Sequence, residues 1–226
     1  MKSDTSMYQN NYYAALTLSG FLLCLVLSSP AFADSDSEVN ITANLPYVEV
    51  IHKGKKIRIK RNQDTTNIVD LDYALTSRPC PPYCIQPIKL AAGVETIGEL
   101  EMLNYLQKAS QDDSILVIDS REPKWLQSGM IPGAINLPWN KLYNKTASDE
   151  EIADILQFQF NAVLTGKLWN FEGAKTLVFY CNGPWCGQSP TNIRALLSIG
   201  YPPQRIKWYR GGIQSWKLFG LTTVKP

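Results

Sequence analysis

Three short, largely apolar runs, SILVI (114–118), TLVFY (176–180) and IKWY (206–209), punctuate the second half of the chain. Runs of this length and composition read as strands buried on both faces. Between them the apolar positions fall at helical spacing. Thr96 and Glu99 form a capping box ahead of Ile97, Leu100, Leu103 and Leu106, which predicts a helix starting at Thr96. Ser148 and Glu151 open a second helix that carries Ile152, Ile155, Leu156, Phe160, Val163 and Leu164 to a stop at Gly166. Ser189 as N-cap and Pro190 as first residue open a third, with Ile193, Leu196 and Leu197 buried and Gly200 closing it. Strands alternating with helices predict an α/β architecture around a mainly parallel sheet. Upstream, Tyr47–Ile51 and Lys56–Lys60 flank Lys53-Gly54, the pattern of a β-hairpin with a basic, solvated outer face.

The N-terminus changes this picture. Ala14–Leu27 is an uncharged apolar run, preceded by Lys2 and followed by the small residues Ala31 and Ala33. That is the pattern of a secretory signal peptide, too short for an ordinary membrane span. The expected organisation is a signal peptide over 1–33 and a flexible leader over 34–45. An N-terminal hairpin and Pro/Cys-rich loop follow over 46–92, and the main domain occupies 93–226. Export to the bacterial periplasm is the expected location, and retention of the signal as an anchor is the alternative. A net charge of +2 with 19% charged residues supplies no basic stripe for nucleic acid and no polybasic membrane patch. Cys24 lies inside the signal segment, which leaves Cys80, Cys84, Cys181 and Cys186 for a chain bound for an oxidising space.

The segment YCNGPWCGQSP (180–190) carries the candidate chemistry. Cys181 ends a strand and leads through Asn182, Gly183, Pro184, Trp185, Cys186, Gly187 and Gln188 to Ser189 at the head of a helix. Backbone N–H groups in such a glycine-containing loop, with the helix N-terminus, stabilise a thiolate or the terminal sulfur of a persulfide. A thiol phosphatase needs an arginine six positions after its cysteine, but Gly187 and Asn192 stand six after Cys181 and Cys186. Cys186 is either a resolving thiol for Cys181 or a small buried residue of a long loop. Trp185 lines a pocket or shields the loop. Cys80 and Cys84, in CPPYC, form a local disulfide or a second redox pair. Their spacing does not suit zinc, and no metal site is expected.

From about Glu95 to Val224 the chain resembles a rhodanese domain. The resemblance rests on VIDSREPKWLQSGMIPGAINLP (117–138), on LVFYCNGPWCGQS (177–189) and on YRGGIQSW (209–216), in that order. It implies a rhodanese-like central parallel sheet flanked by helices, here with a small N-terminal hairpin extension. It also implies sulfurtransferase chemistry, with Cys181 as nucleophile and persulfide carrier and 182–189 as the substrate- and anion-binding loop. Asp119 and Arg121 are implied as supporting residues near the loop. No cofactor is needed, and the implied partners are a small sulfur donor and a thiol or cyanide-like acceptor. A periplasmic redox partner would fit a Cys181/Cys186 pair. A non-catalytic binding domain on the same fold is the remaining alternative. Two departures stand out: Met130 replaces the family's histidine, and no basic residue lies between Cys181 and Ser189.

Overall fold

Each apolar run is continuous because it divides its residues between two cores. In the computed structural model, which describes residues 38–226, Val117, Val178, Tyr180 and Tyr209 face one core. Their neighbours Ile118, Leu177, Phe179, Ile206 and Trp208 face the other. With a side-chain period of two, a strand covered on both faces has no position left for a polar residue until it ends. The expected export signal over 1–33 lies outside the described residues, and no helix among the described residues is long and apolar enough to cross a membrane.

The first elements among the described residues are the strands of an antiparallel hairpin, β1 (Tyr47–His52) and β2 (Lys55–Lys60). Its two-residue turn puts Lys53 and Gly54 in the left-handed region, φ +49° and +74°, as a tight hairpin requires. A short helix α1 (Leu71–Ala74) follows, then β3 (Glu95–Ile97), α2 (Glu99–Ala109), β4 (Ile115–Asp119), α3 (Pro123–Leu126) and β5 (Ile135–Asn136). Next come α4 (Asp149–Asp154), which runs on as a π-turn over Ile155–Gln159, and a small hairpin of β6 (Val163–Thr165) and β7 (Leu168–Asn170). Then β8 (Thr176–Tyr180), α5 (Gln188–Ser198), β9 (Ile206–Tyr209) and α6 (Gly212–Leu218) complete the order. The main sheet runs β3-β9-β8-β4-β5, and every pairing in it is parallel. The α/β architecture expected from the sequence is the one observed, with β8 at the centre of the sheet between β9 and β4.

One core is covered by α2, α6 and the β1–β2 hairpin, whose Val48, Val50 and Ile59 lie among Met102, Leu103, Leu106, Ile213 and Trp216. The other is covered by the α4 segment and α5, through Ile155, Leu156, Phe160, Ile193 and Leu196. Part of the expected leader is tied down: Ile41 and Leu45 pack against the first core, and the Val39 amide donates to Gln63 Oε1.

Three helix boundaries differ from expectation. Thr96 does not cap α2, because Glu95–Ile97 pairs with β9 as an edge strand and the Thr96 hydroxyl donates to the Ile88 carbonyl. The helix starts after Gly98, whose N–H donates to Glu101 Oε2 at 3.1 Å. Its buried face is Met102, Leu103 and Leu106, while Leu100 is exposed. The second helix has the expected Ser148/Glu151 box but stops at Asn161, where φ turns to +57°. Val163 and Leu164 are then exposed on β6, and Gly166 serves the β6–β7 turn. The third helix begins at Gln188 after Gly187, with Ser189 and Pro190 already inside its first turn.

At the carboxyl end of β4, Asp119 and Arg121 form an ion pair with no solvent exposure on either side chain, Nη2 to Oδ2 2.6 Å. The guanidinium also donates to the Gly129 and Trp125 carbonyls and to the Tyr73 hydroxyl. Removing one partner strands the other charge in the core. Arg121→Met is expected to lose about 3–5 kcal/mol of stability, read as a lower midpoint in urea unfolding. A loss within experimental error would contradict the buried pair.

Candidate active site

Strand β8 ends at Tyr180, whose carbonyl accepts from the Ser120 amide at 2.9 Å, and delivers Cys181 at the carboxyl edge of the sheet. Ligands of open α/β sheets bind at this edge. The loop from 181 to 187 is shaped from behind by α6. The Ile213 N–H donates to the Cys181 carbonyl at 3.0 Å, and the Gln214 N–H donates to the Asn182 carbonyl at 2.8 Å. The two backbones approach so closely that a Cβ on Gly212 would lie 2.3 Å from the Cys181 carbonyl oxygen, and Gly212 itself has φ +58°. Only glycine meets both conditions. The Gly183 and Ser189 backbones of this loop favour the Cys181 thiolate.

Burial pushes the Cys181 thiol pKa up, but hydrogen bonds from Cys186, the Ser189 hydroxyl and the Ser189 and Gly183 N–H groups outweigh it, so the net direction is down. The Ser189 hydroxyl is buried and has no hydrogen-bond partner in the geometry of the loop. Burial together with the Cys181 charge pushes the Cys186 thiol well above its ordinary value. The two cysteines are thus unequal: the Cys181 pKa is shifted down and the Cys186 pKa up. Cys181 Sγ lies 3.5 Å from the Cys186 carbonyl oxygen. Cys186 Sγ lies 3.9 Å from Asn182 Nδ2 and 3.7 Å from Gln188 Oε1.

Asp119 and Arg121 stand beneath this loop rather than at its rim. From Arg121 the contacts run outward through Tyr73, whose hydroxyl donates to Asn182 Oδ1 at 3.2 Å. The Tyr73 carbonyl accepts from Gln214 Nε2. Tyr73 belongs to α1, in the N-terminal extension, and sequence reasoning missed it; a single tyrosine between acidic and exposed residues gives no periodic signal. Met130, in place of the family's histidine, is buried and exchanges two backbone hydrogen bonds with Val224.

The extension also builds the outer wall. Trp185 lies under the Arg78 guanidinium, 3.9 Å from its ring centroid, and meets Tyr83 edge-on at 5.5 Å. Its indole N–H donates to Gln214 Oε1 at 2.8 Å. The Gln86 amide donates to the Pro184 carbonyl, and the Gln86 carbonyl accepts from Arg210. Cys80 and Cys84 are brought together, their Cα atoms 4.6 Å apart with the sulfurs in bonding contact. The intervening Pro82 and Tyr83, with Trp125, Trp139, Trp185 and Cys186, line a cavity of about 350 Å³. Lys124 brings a cation to this cavity, paired with Glu122 at 2.7 Å. Among the described residues no cluster of three or more His, Cys, Asp or Glu side chains is placed to hold a metal ion.

A parallel sheet that ends one of its inner strands in a buried free thiol at its carboxyl edge defines an α/β domain with a candidate nucleophile where such sheets bind ligands. The chain belongs to the rhodanese-like domain family, whose model matches residues 102–218. It is 29% identical over 116 residues to an HTH-type transcriptional regulator of Mycobacterium tuberculosis, a match covering 51% of this chain and 40% of that protein. The chain therefore spans less than half the length of this curated relative. Among solved structures it is similar to a Rhodopseudomonas palustris protein of unknown function described as a possible tyrosine phosphatase. That match has a TM-score of 0.43 and 18% identity, and covers 60% of this chain and 88% of the other. It is also similar to the human single-domain sulfurtransferase, with a TM-score of 0.38 and 21% identity over 55% of this chain and 96% of the other.

Two substitutions separate the backbone constraint from the polar support. Gly212→Ala is expected to push the loop off α6 and slow alkylation of Cys181 at neutral pH by at least about tenfold, since it removes N–H donors from the thiolate. Tyr73→Phe leaves the fold intact and removes one buried hydroxyl, for a loss of about 1–3 kcal/mol in urea unfolding. Unchanged alkylation in the first, or unchanged stability in the second, would refute the corresponding contact.

Proposed function

We propose that the protein is a sulfurtransferase that carries sulfane sulfur on Cys181. The observation that carries this reading is the buried, free thiol that β8 delivers at the carboxyl edge of the sheet, at the start of the loop gripped by α6; hydrogen bonding lowers its pKa against the effect of burial. The Cys181 thiolate attacks the sulfane sulfur of a donor, the bond from that sulfur to the donor breaks, and the donor remnant leaves with the electron pair. The resulting Cys181 persulfide carries its charge on the outer sulfur, where the loop N–H groups and the head of α5 favour an anion. A thiol or cyanide-like acceptor then takes the outer sulfur and returns the thiolate. Membership of the rhodanese-like family supports the same chemistry.

Lys124 and Arg78 reach the loop's surroundings from other segments, so an anionic donor can be met by cations that the loop lacks. We place this activity outside the cytoplasm, directed there by residues 1–33, with the Cys80–Cys84 disulfide closing the outer wall in an oxidising space. A second reading, a thiol–disulfide redox protein using Cys181 and Cys186, is favoured by the placement of both free thiols in one buried loop, with Cys181 Sγ 3.5 Å from the Cys186 carbonyl oxygen.

Cys181→Ser is expected to lose sulfur transfer from thiosulfate or an alkyl persulfide by at least about a thousandfold. Activity that survives the substitution would end this assignment. The reactive thiolate should also persist to lower pH than a free cysteine. A lowered pKa means that alkylation by iodoacetamide falls off only at a pH below that at which a free cysteine loses its reactivity. A Cys181 profile at or above that of a free thiol contradicts the anion-holding loop.

A further inference from the structure

Cys186, not Cys181, borders the cavity that opens to solvent. Cys181 lies behind it, almost wholly buried, with its Sγ 3.5 Å from the Cys186 carbonyl oxygen. A sulfur carried on Cys181 therefore has a protein thiol beside it on the side of the cavity. Asn182 Nδ2 and Gln188 Oε1 flank the Cys186 sulfur, which fixes the thiol between the persulfide and the mouth.

We propose that Cys186 resolves the Cys181 persulfide, so that the protein releases hydrosulfide and is left with a Cys181–Cys186 disulfide. This inference rests on the persulfide reading above. In the step, Cys186 Sγ attacks Cys181 Sγ and a sulfur–sulfur bond forms between them. The bond from Cys181 Sγ to the outer sulfur breaks, and that sulfur leaves with the bonding pair, takes the Cys186 proton and departs as HS⁻. The sulfane sulfur is reduced by two electrons and the two cysteines are oxidised together. A neighbouring thiol on the same loop competes well with a dissolved one because its effective concentration is high.

An external dithiol reductant closes the cycle by supplying two electrons and two protons. It meets the disulfide at Cys186, the sulfur on the mouth side, and displaces Cys181. Cys181 is the better leaving group because its thiolate is the more stabilised of the two. The direction of reduction therefore restores the thiolate that begins the next turnover.

The test is a single turnover of the reduced protein with glutathione persulfide, without added reductant. Sulfide is measured in solution and the cysteines are mapped by mass spectrometry. The wild type is expected to release about one sulfide per protein and to gain a Cys181–Cys186 disulfide. Cys186→Ser is expected to hold one extra sulfur on Cys181 and to release sulfide at least about tenfold more slowly. A wild type that keeps the extra sulfur on Cys181 with no disulfide overturns the inference and leaves the sulfurtransferase reading standing. Failure of both the wild type and Cys186→Ser to take up sulfur on Cys181 removes both. Should Cys186→Ser not fold, the disulfide map of the wild type decides the matter alone.

Discussion

The approach of α6 to the Cys181 loop is the contact on which the site depends. Two loop carbonyls are taken by the Ile213 and Gln214 N–H groups, and the approach is possible only because position 212 carries no side chain. Once those carbonyls are engaged behind the loop, its path from Cys181 to the head of α5 is fixed from one side. The paired glycines after β9 are therefore part of the cysteine site, although they lie about thirty positions away in sequence.

A second support comes from below. Asp119 and Arg121 are fully buried, an arrangement that gains little by itself against the desolvation of two charges. Its use is positional. The guanidinium gathers the Gly129 carbonyl, the Trp125 carbonyl and the Tyr73 hydroxyl, and Tyr73 passes the constraint to Asn182. Residues from β4, the following loop and the N-terminal extension thus converge under one asparagine of the active loop.

The strands at 115–119, 176–180 and 206–209 were legible because burial on both faces leaves an unbroken apolar signal, and Cys181 was legible because it interrupts one such signal at its end. The start of α2 was misread because Thr96 and Glu99 satisfy a local capping pattern while pairing with β9, a contact distant in sequence, decides the outcome. Val163 and Leu164 continued a helical spacing that the left-handed turn at Asn161 cuts off. The wall built by Arg78, Tyr83 and Gln86 could not be read from the chain. Its partners, Trp185, Pro184 and Arg210, are about a hundred residues away and involve ring faces and backbone groups that carry no sequence pattern. Tyr73 escaped for the same reason.

The cavity in front of Cys186 draws its lining from four separate stretches: Pro82 and Tyr83, Glu122 to Trp125, Trp139, and Asn182 to Thr191. The groups that lower the Cys181 pKa belong to Cys186, Ser189 and Gly183. Selectivity and reactivity are thus written largely in different parts of the chain. A change of length or composition in the loop around 78–86 reshapes what fits the entrance while leaving the thiolate as it is, so one chemical engine can be matched to different molecules by editing a single surface segment.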